Sequence, residues 1–598
     1  MNDASEQRVQ GHAVSRGVAM GRAVVVASAR LGVAHQFIDA EQVPAELDRL
    51  RQARRVVGAD MERAKQHLID DSVPEASAEL SALVDVHLML LQDQALTEAV
   101  RAWVVERHYN AEWALQAQMD IMARQFDDMQ DPYLRERKVD LEQVVERLLL
   151  ALRGDGVASM VPEGARAAKP SGEPVVLVAH DLSPAELLRF RSSVFGGFVT
   201  DIGGKTSHTA IVARSLDIPA VVGARGASEV IRNDDWVIID GDAGCVVINP
   251  EPQVVQHYAA RQQQDQRARE RLQRLRHTPA RTQDGRDITL LANIEAPADT
   301  QAALATGAVG VGLFRSEFLY MGRAEQGHAL LPSEDEQYEA YTAAVRGMRG
   351  LPTTIRTVDV GADKPLGQAR EAFENPALGL RAVRWSLADT DMFRTQLRAL
   401  LRAAVHGHVN VLVPMLSQRA EIESTLQQLA LARQELDDAG VARAPIRLGA
   451  MIEVPAAALS VPMFLKYFDF LSIGTNDLIQ YTLAVDRTDD RVAHLYDPLH
   501  PVVLQLIAQT IAHGHAAGKP VAVCGEMAGD VAYTALLLGM GLREFSMHPS
   551  HILEVKERVL AANVGALKHW ADQALASDQP AEVLAQMAEA LRPSQPLK

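Results

Sequence analysis

The sequence predicts an α/β protein of several domains, with a (β/α)8 barrel in the C-terminal half and an α/β domain carrying an inserted helical bundle in the N-terminal half. Three patterns support this prediction. Strand-like apolar runs alternate with helical patterns after residue 277, short β-branched runs separated by glycine occupy 174–250, and 47–152 places apolar residues at helical spacing with almost no glycine. A chain of 598 residues has room for about two to four domains.

The N-terminal α/β domain is predicted to comprise residues 1–36 and 153–250. Its first strand falls within Gly11–Ala29, where Val24–Val26 form a β-branched run. Later strands of this domain are expected at 175–178, 198–200, 220–222 and 236–239. We expect the first strand to join the same sheet as the later ones, which makes the helices between them an insertion.

Residues 37–152 are predicted to form the inserted helical bundle. The segment Asp131–Arg137 has Pro132 where a helix would begin, a position that tolerates the missing proline N–H. His87 and Arg135–Arg137 lie on the predicted helices. Two roles are open for them: docking of a partner protein, or an ordinary solvated helix face.

Residues 251–277 are predicted to be a linker helix. The stretch 253–276 is rich in Gln, Arg and Glu and has few apolar positions, which is typical of an exposed helix between two bodies. A disordered tether is the alternative. Either structure makes this stretch the main domain boundary and a place where a hinge could act.

Residues 278–598 are predicted to form the barrel, because eight strand-like runs with intervening helices are the pattern of this fold. A doubly wound sheet is the alternative. The predicted strands are 288–292, 310–314, 354–358, 409–414, 448–452, 468–473, 521–523 and 544–547. A barrel would place its functional residues just after the strands, at the carboxyl ends.

The composition narrows the classes of partner and compartment. The net charge is −17 and there is no dense block of Lys and Arg, which argues against nucleic acid or an anionic membrane as the main partner. Met1–Gln10 is polar, and no run of about 18 uncharged apolar residues follows, so we expect a cytoplasmic protein without membrane insertion. Cys245 and Cys524 are too few for a disulfide framework.

The segment Gly203–Arg214 places His208 at the start of a predicted helix, directly after two glycines and a Thr-Ser pair. Glycine allows close approach to the main chain, Thr206 or Ser207 can cap the helix, and free amides at a helix N-terminus favour an anion. An anion here includes a phosphoryl group carried on the imidazole itself. The alternative is a polar residue near a helix start.

Several polar residues stand at the predicted strand ends of the barrel. Glu453 and Asp477 on successive strands could hold Mg²⁺, since this cation prefers a few carboxylates with water and substrate oxygens. Arginine side chains there suit phosphate and carboxylate, although each alone could be a structural ion pair. The strand-end residues are Arg315, Arg356, Asp359, Glu453, Asn476, Asp477, Arg487 and Cys524.

These motifs resemble those of the phosphoenolpyruvate-utilising enzymes. Gly203–Gly223 is similar to their phosphohistidine segment, and the stretches 310–318, 452–457, 472–481 and 524–530 are similar to their phosphoenolpyruvate-binding barrel. The domain order is most similar to that of the Enzyme I family of the bacterial phosphotransferase system, over roughly Gly11–Leu575. The resemblance implies a swivelling phosphohistidine domain, a bundle that binds the carrier protein HPr, and a barrel that also dimerises.

The resemblance also implies roles for single residues. His208 would accept the phosphoryl group, Glu453 and Asp477 would bind Mg²⁺, and Cys524 would protonate the enolate carbon. A thiol can supply such a proton, and a small core residue is the alternative for Cys524. The implied phosphate or carboxylate contacts are Arg315, Arg356, Asn476, Arg487 and Lys364.

The implied reaction moves the phosphoryl group of phosphoenolpyruvate to His208 and then to a histidine of HPr, with release of pyruvate, as the first step of sugar uptake or regulation. Related dikinases and synthases need an ATP-binding domain, for which the sequence has no glycine-rich loop. A regulator that binds phosphoenolpyruvate without turnover is a further alternative. The regulator is favoured only by Ala362, which stands where the family usually has glycine. A second departure is Lys205, which stands where family members often have arginine and keeps the charge but not the planar fork.

Overall fold

The structure is a computed structural model that describes part of the chain in detail, and all structural statements below concern that part. The described residues are 6–26, 35–70, 84–127, 132–153, 175–182, 195–204, 209, 210, 213, 218–320, 331–360, 375–487, 489 and 491–591. The chain divides into two compact units, Met1–Ala268 and Arg269–Lys598.

The first unit contains a mixed sheet of eight strands in the order β1-β8-β7-β3-β4-β5-β6-β2. Its strands are β1 (Gln7–Gln10), β2 (His12–Ser15), β3 (Val18–Val26), β4 (Val175–Ala179), β5 (Phe195–Thr200), β6 (Ala220–Val222), β7 (Trp236–Asp240) and β8 (Cys245–Ile248). Strands β3 to β6 are parallel, and the other pairings are antiparallel.

Both faces of this sheet are buried, which explains why its strands are apolar without strict alternation. In β4, Leu177 and Ala179 belong to the apolar cluster on one face, whereas Val176 and Val178 belong to the cluster on the other. Strand β3 pairs with β4 in parallel, although the bundle helices separate them in sequence. The bundle is therefore inserted between neighbouring strands.

The bundle helices are α1 (Val43–Asp70), α2 (Gln94–Arg107), α3 (Ala111–Asp127) and α4 (Pro132–Leu152), and residues 84–92 are also helical. Pro132 is the first residue of α4, as predicted from its position in the sequence. The bundle has its own apolar core, in which Val57, Met61, Val104 and Leu141 are completely buried.

The structure overturns one expectation about the bundle. His87 is only 1% exposed, and its ring Nε2 lies 3.4 Å from Oδ1 of Asp140, which is equally buried. A buried ring cannot contact a docked protein, so a docking role for His87 is wrong, and so is the alternative of a solvated face. The side chains of Arg135–Arg137 lie outside the described residues.

Residues Pro252–Arg274 form one helix, α6, after the short helix α5 (Ala227–Val230). None of its residues is buried, which agrees with the predicted exposed helix and excludes a disordered tether. Arg261 donates from Nη1 to Asp240 at 2.8 Å and from Nη2 to Asp242 at 2.5 Å, which fastens the first half of α6 to the sheet. The two units divide within this helix.

The second unit contains the predicted barrel. Its strands are β9 (Thr289–Ile294), β10 (Val311–Arg315), β11 (Thr353–Arg356), β12 (Val409–Val413), β13 (Arg447–Ile452), β14 (Phe470–Ile473), β15 (Val521–Val523) and β16 (Glu544–Met547). All neighbours are parallel, and β16 pairs with β9 to close the sheet. The barrel prediction is confirmed, and the doubly wound alternative is excluded because that sheet would stay open.

Helices surround the barrel and cover its outer, apolar face. They are α7 (Thr300–Ala305), α8 (Glu334–Gly347), α9 (Ala382–Ala388), α10 (Thr390–Ala403), α11 (Arg419–Asp438), α12 (Pro455–Leu459), α13 (Val461–Phe464), α14 (Thr475–Leu483), α15 (Pro501–Ala516), α16 (Val531–Gly539), α17 (Ile552–Ala561), α18 (Val564–Ala576) and α19 (Pro580–Ala590). Within the described parts of both units, no helix has the length and hydropathy needed to cross a membrane.

Candidate active site

A cavity of about 740 Å³ opens at the carboxyl ends of the barrel strands. This is the end at which barrel enzymes carry their functional groups. Eight residues predicted from the sequence line it: Arg315, Arg356, Asp359, Glu453, Asn476, Asp477, Arg487 and Cys524. His208 and Lys364, the other two predicted site residues, lie outside the described residues.

Strand ends explain how distant residues meet in this cavity. Arg315 and Arg356 are the last residues of β10 and β11, and Cys524 directly follows β15. Because parallel strands in a barrel all finish at the same end, residues that follow them in sequence become neighbours in space.

Asn476 and Asp477 belong to the first turn of α14, which begins after a single glycine at the end of β14. That glycine is required by close approach: a Cβ on Gly474 would lie 2.8 Å from Oε2 of Glu453. The main chain of this turn therefore passes directly beside the Glu453 carboxylate.

Arg356 lies in a buried network of opposite charges. Its Nη1 is 3.0 Å from Oδ2 of Asp359, and its Nη2 bonds to Oε1 of Glu317. Burial alone would lower the pKa of the Arg356 guanidinium, but the two carboxylates outweigh it and raise that pKa, so the group is always charged. The network holds a fixed cation at the cavity wall.

Arg381 was not predicted, although it is central to the cavity. Its Nη2 donates to Oδ1 of Asp359 at 2.9 Å and lies 3.4 Å from Oδ2 of Asp477, while Nη1 donates to the Tyr481 hydroxyl at 3.2 Å. Its side chain is 11% exposed. Arg381 follows no strand end, so the strand-end rule misses it; the only sequence signal is a turn with Pro376 and Gly379 just before it.

Glu453 and Asp477 form the acidic part of the cavity. Oε1 of Glu453 accepts a hydrogen bond from the Met415 N–H at 2.6 Å, which fixes the carboxylate. Burial, together with the nearby charges of Asp477 and Asp359, raises the pKa of Glu453 above its ordinary value. A bound cation would reduce the electrostatic repulsion between these buried like charges.

A metal held by these residues would need ligands from elsewhere as well. Over the described ranges, no group of three or more His, Cys, Asp or Glu is arranged to hold a metal ion. Mg²⁺ is usually bound by one or two protein carboxylates, with substrate and water in its remaining coordination positions. It does not need a set of ligands that all come from the protein. The oxygen donors of Glu453 and Asp477 fit that kind of ion.

Cys524 carries a protonated thiol. Its side chain is buried, and Sγ donates to the carbonyl oxygen of Ile473 at 3.6 Å. Burial raises the pKa of this thiol to about 11, so it holds its proton throughout the neutral range. A neutral thiol at a cavity wall can donate a proton and is a poor nucleophile.

The other cationic groups are more accessible. Arg315 donates from Nη1 to Oε1 of Glu295 at 2.7 Å, and its side chain is 36% exposed. Nη1 of Arg487 lies 3.5 Å from Oε1 of Glu526, and Asn476 donates from Nδ2 to the same oxygen at 3.0 Å. Glu295, Glu317 and Glu526 are partners of site residues that the sequence did not single out. These donors leave the open side of the cavity suited to a small anion.

Comparisons with known proteins show which family the chain resembles. Family models of the phosphoenolpyruvate-utilising enzymes match three stretches: the N-terminal domain at 10–137, the mobile domain at 171–244 and the PEP-binding domain at 269–564. The chain is 56% identical to a phosphoenolpyruvate-protein phosphotransferase of Cupriavidus necator, with 98% of this chain and 99% of that protein covered.

A more distant relative also matches along nearly the whole chain. A phosphoenolpyruvate-protein phosphotransferase of Geobacillus stearothermophilus is 40% identical, with 93% of this chain and 94% of that protein covered. An NMR solution structure of Enzyme I is 30% identical, covers 43% of this chain and 99% of its own, and has a TM-score of 0.35. The chain belongs to the phosphoenolpyruvate-utilising enzymes, in the family of the phosphoenolpyruvate–protein phosphotransferases.

Proposed function

We propose that the enzyme transfers the phosphoryl group of phosphoenolpyruvate to its own His208 and then to a histidine of an HPr-type carrier protein, with release of pyruvate. The observation that carries the proposal is the cavity at the barrel strand ends, where Arg315, Arg356, two carboxylates and a neutral thiol meet. Each group has a task in this reaction.

Phosphoenolpyruvate is small and carries a phosphate and a carboxylate. Arg315, Arg356 and Arg487 offer planar forks of N–H donors that suit both groups, and Asn476 adds an amide donor. Lys364, predicted as a fifth contact, would come from the loop after β11. An anion that fills the cavity would also balance the cationic side of the site.

Mg²⁺ is the proposed cofactor, and Glu453 and Asp477 are its proposed ligands. The raised pKa of Glu453 supports this, because it reflects burial of the carboxyl group first and the nearby negative charges of Asp477 and Asp359 second. Bound Mg²⁺ would supply positive charge for the phosphate and for the oxygen charge that develops as the phosphate leaves.

The chemistry balances with the residues proposed. The bond between phosphorus and the enol oxygen breaks, a bond from phosphorus to a ring nitrogen of His208 forms, and the departing group is the enolate of pyruvate. The Cys524 thiol gives its proton to the enolate carbon, which completes pyruvate, and the thiolate then regains a proton from water. With a pKa of about 11 the thiol is fully protonated before this step.

The second transfer requires movement, since one histidine serves the barrel and then the carrier. We propose a swivelling phosphohistidine domain of 1–36 and 153–250, a carrier-binding bundle of 37–152, a linker of 251–277 and a barrel of 278–598 that also dimerises. A cytoplasmic location completes the proposal. Helix α6 is exposed along its length and spans the division between the two units, so we propose that the movement occurs there.

Mass spectrometry under conditions that preserve acid-labile phosphate tests the first transfer. The native chain and the His208→Ala variant are incubated with phosphoenolpyruvate and Mg²⁺, and pyruvate is measured in parallel. We expect a gain of one phosphate on the native chain only, with one pyruvate formed per phosphate. Binding of phosphoenolpyruvate without a mass gain would contradict the proposal and favour the regulator.

A further inference from the structure

Glu526 stands at the edge of the candidate active site, two residues after Cys524. It begins a short 3-10 turn, Glu526–Ala528, and lines the cavity. Its side chain is 80% exposed, so packing does not account for its position. Its position is explained by polar contacts with Asn476 and Arg487, two residues of the proposed substrate site.

Glu526 and Asn476 are joined by a reciprocal pair of hydrogen bonds. The backbone N–H of Glu526 donates to Oδ1 of Asn476 at 2.9 Å, and Nδ2 of Asn476 donates to Oε1 of Glu526 at 3.0 Å. A flipped amide would lose both bonds, so this pair sets the orientation of the Asn476 side chain. Because Nδ2 carries two hydrogens, it can still donate the second one to a ligand.

The same carboxylate oxygen reaches a second donor. Nη1 of Arg487 lies 3.5 Å from Oε1 of Glu526, so one oxygen lies near both Asn476 and Arg487. Arg487 sits in the loop after α14 and its side chain is 38% exposed, which leaves it many rotamers without a partner. The Glu526 carboxylate restricts where its guanidinium lies.

The main chain is built to allow this contact. A Cβ on Gly525 would lie 2.0 Å from Oγ1 of Thr475 and 3.0 Å from Oδ1 of Asn476. Only glycine lets the chain after β15 approach the first turn of α14 this closely. The contact therefore depends on the close approach of two segments that follow neighbouring strands: the chain after β15 and the first turn of α14.

We propose that Glu526 is a positioning residue for phosphoenolpyruvate, which aligns the phosphate-facing donors of Asn476 and Arg487. The proposal rests on the proposed function of the barrel cavity. The negative charge of Glu526 should repel the anionic substrate only weakly, since the carboxylate is exposed to water and already paired with the guanidinium of Arg487. Its role is to hold donors in place for the substrate.

Calorimetric titration with phosphoenolpyruvate and Mg²⁺ tests this, in a His208→Ala background where the substrate binds without being consumed. We expect Glu526→Ala to raise the Kd for phosphoenolpyruvate about tenfold, as for a lost charge-assisted hydrogen bond. Glu526→Gln keeps an acceptor for Asn476, so it should restore the Kd to within about threefold of the parent. Glu423→Ala, which removes an exposed glutamate paired with Arg419 at the barrel surface, is the matched control.

Steady-state kinetics of the Glu526 variants in chains that keep His208 separate positioning from chemistry. We expect Glu526→Ala to raise KM for phosphoenolpyruvate and to change kcat less than about twofold. The increase in Kd should become smaller when Asn476→Ala is already present, because part of the effect of Glu526 passes through Asn476 and residues that act through one another are not additive. Unchanged Kd in Glu526→Ala, tighter binding in Glu526→Gln, or full additivity with Asn476→Ala would each overturn the proposal.

This test is distinct from that of the proposed function. Failure of His208 to gain phosphate in the native chain would refute the transfer while leaving the Kd comparison in force. Conversely, normal phosphorylation with equal Kd values in all Glu526 variants would refute only the role of Glu526. Thermal unfolding of the variants is expected to match the parent, since the side chain is exposed.

Discussion

The barrel and the bundle both bury titratable residues, but these residues lie in different surroundings. In the barrel, Arg356, Asp359 and Glu453 are buried at the wall of an open cavity, where strand ends converge. In the bundle, His87 and Asp140 are buried against each other among packed helices. In this protein, the buried titratable residues of the barrel face a cavity that a ligand can enter, whereas the His87–Asp140 pair of the bundle is enclosed by helices.

The difference between the barrel site and the bundle core predicts how substitutions in each region affect activity and stability. Barrel loops and strand ends carry the site on a rigid frame, so a substitution there should alter activity before stability. A substitution in the bundle core should alter stability before activity. The following predictions test that division, from the largest expected effect to the smallest.

Replacing Cys524 should have the largest effect on the reaction. We expect Cys524→Ala to slow pyruvate formation by roughly 10²- to 10⁴-fold, the usual contribution of a placed acid. Binding of phosphoenolpyruvate should change less than about threefold, because the thiol acts only after the phosphate leaves. Rapid-quench measurement of pyruvate, with calorimetry for binding, checks both values; a normal rate would exclude Cys524 as the proton donor.

Replacing Arg381 should weaken both activity and stability. Arg381 would thus be an exception to the expectation that substitutions at the barrel site alter activity before stability. Arg381→Ala leaves Asp359 and Asp477 with less positive charge in a buried place, which we expect to cost about 3–5 kcal/mol of unfolding free energy. KM for phosphoenolpyruvate should rise by about 10²-fold.

Two variants control that measurement. Arg381→Lys keeps the charge but not the planar fork, so its loss should be intermediate. Arg384→Ala removes the neighbouring arginine, which donates to the backbone carbonyl of Leu378 instead, and should leave KM unchanged. Denaturant unfolding and steady-state kinetics give both quantities, and equal effects of the Arg381 and Arg384 variants would show that Arg381 is not part of the site.

The raised pKa of Cys524 predicts an unusual pH dependence of its alkylation. In a Cys245→Ser variant, the rate with iodoacetamide should still increase about tenfold per pH unit between pH 9 and 10, since the thiolate fraction is rising toward a pKa of about 11. In the unfolded chain the rate should level off near pH 9. Mass spectrometry of the modified protein distinguishes the two profiles; a plateau at pH 9 in the folded protein would contradict a buried neutral thiol.

Replacing His87 should give the smallest effect on function. We expect His87→Leu to lower the unfolding free energy of the first unit by about 1–3 kcal/mol, because Asp140 loses a buried polar partner. His87→Gln, which can still donate to Asp140, should recover part of this loss. Phosphorylation of His208 by phosphoenolpyruvate should be unchanged, as measured beside thermal unfolding; a loss of phosphorylation without a loss of stability would contradict a structural role.

Sequence alone determined the architecture of the barrel and most of its candidate site. The eight strands, the position of Pro132 and the exposed helix α6 follow from local periodicity and turn chemistry, which act over a few residues. The convergence of Arg315 and Cys524 was predictable as well, since parallel strands in a closed barrel share one carboxyl end.

Contacts between residues that no local pattern connects could be seen only in the folded protein. Arg381 meets Asp359 and Asp477 across 22 and 96 residues of chain, and helical spacing could not tell which side of the bundle helices buries His87. Glu526 reaches Asn476 only because the chain at Gly525 closely approaches the first turn of α14. Such contacts depend on how packed elements meet, and that is set by burial and charge over the whole fold rather than by the order of residues along one element.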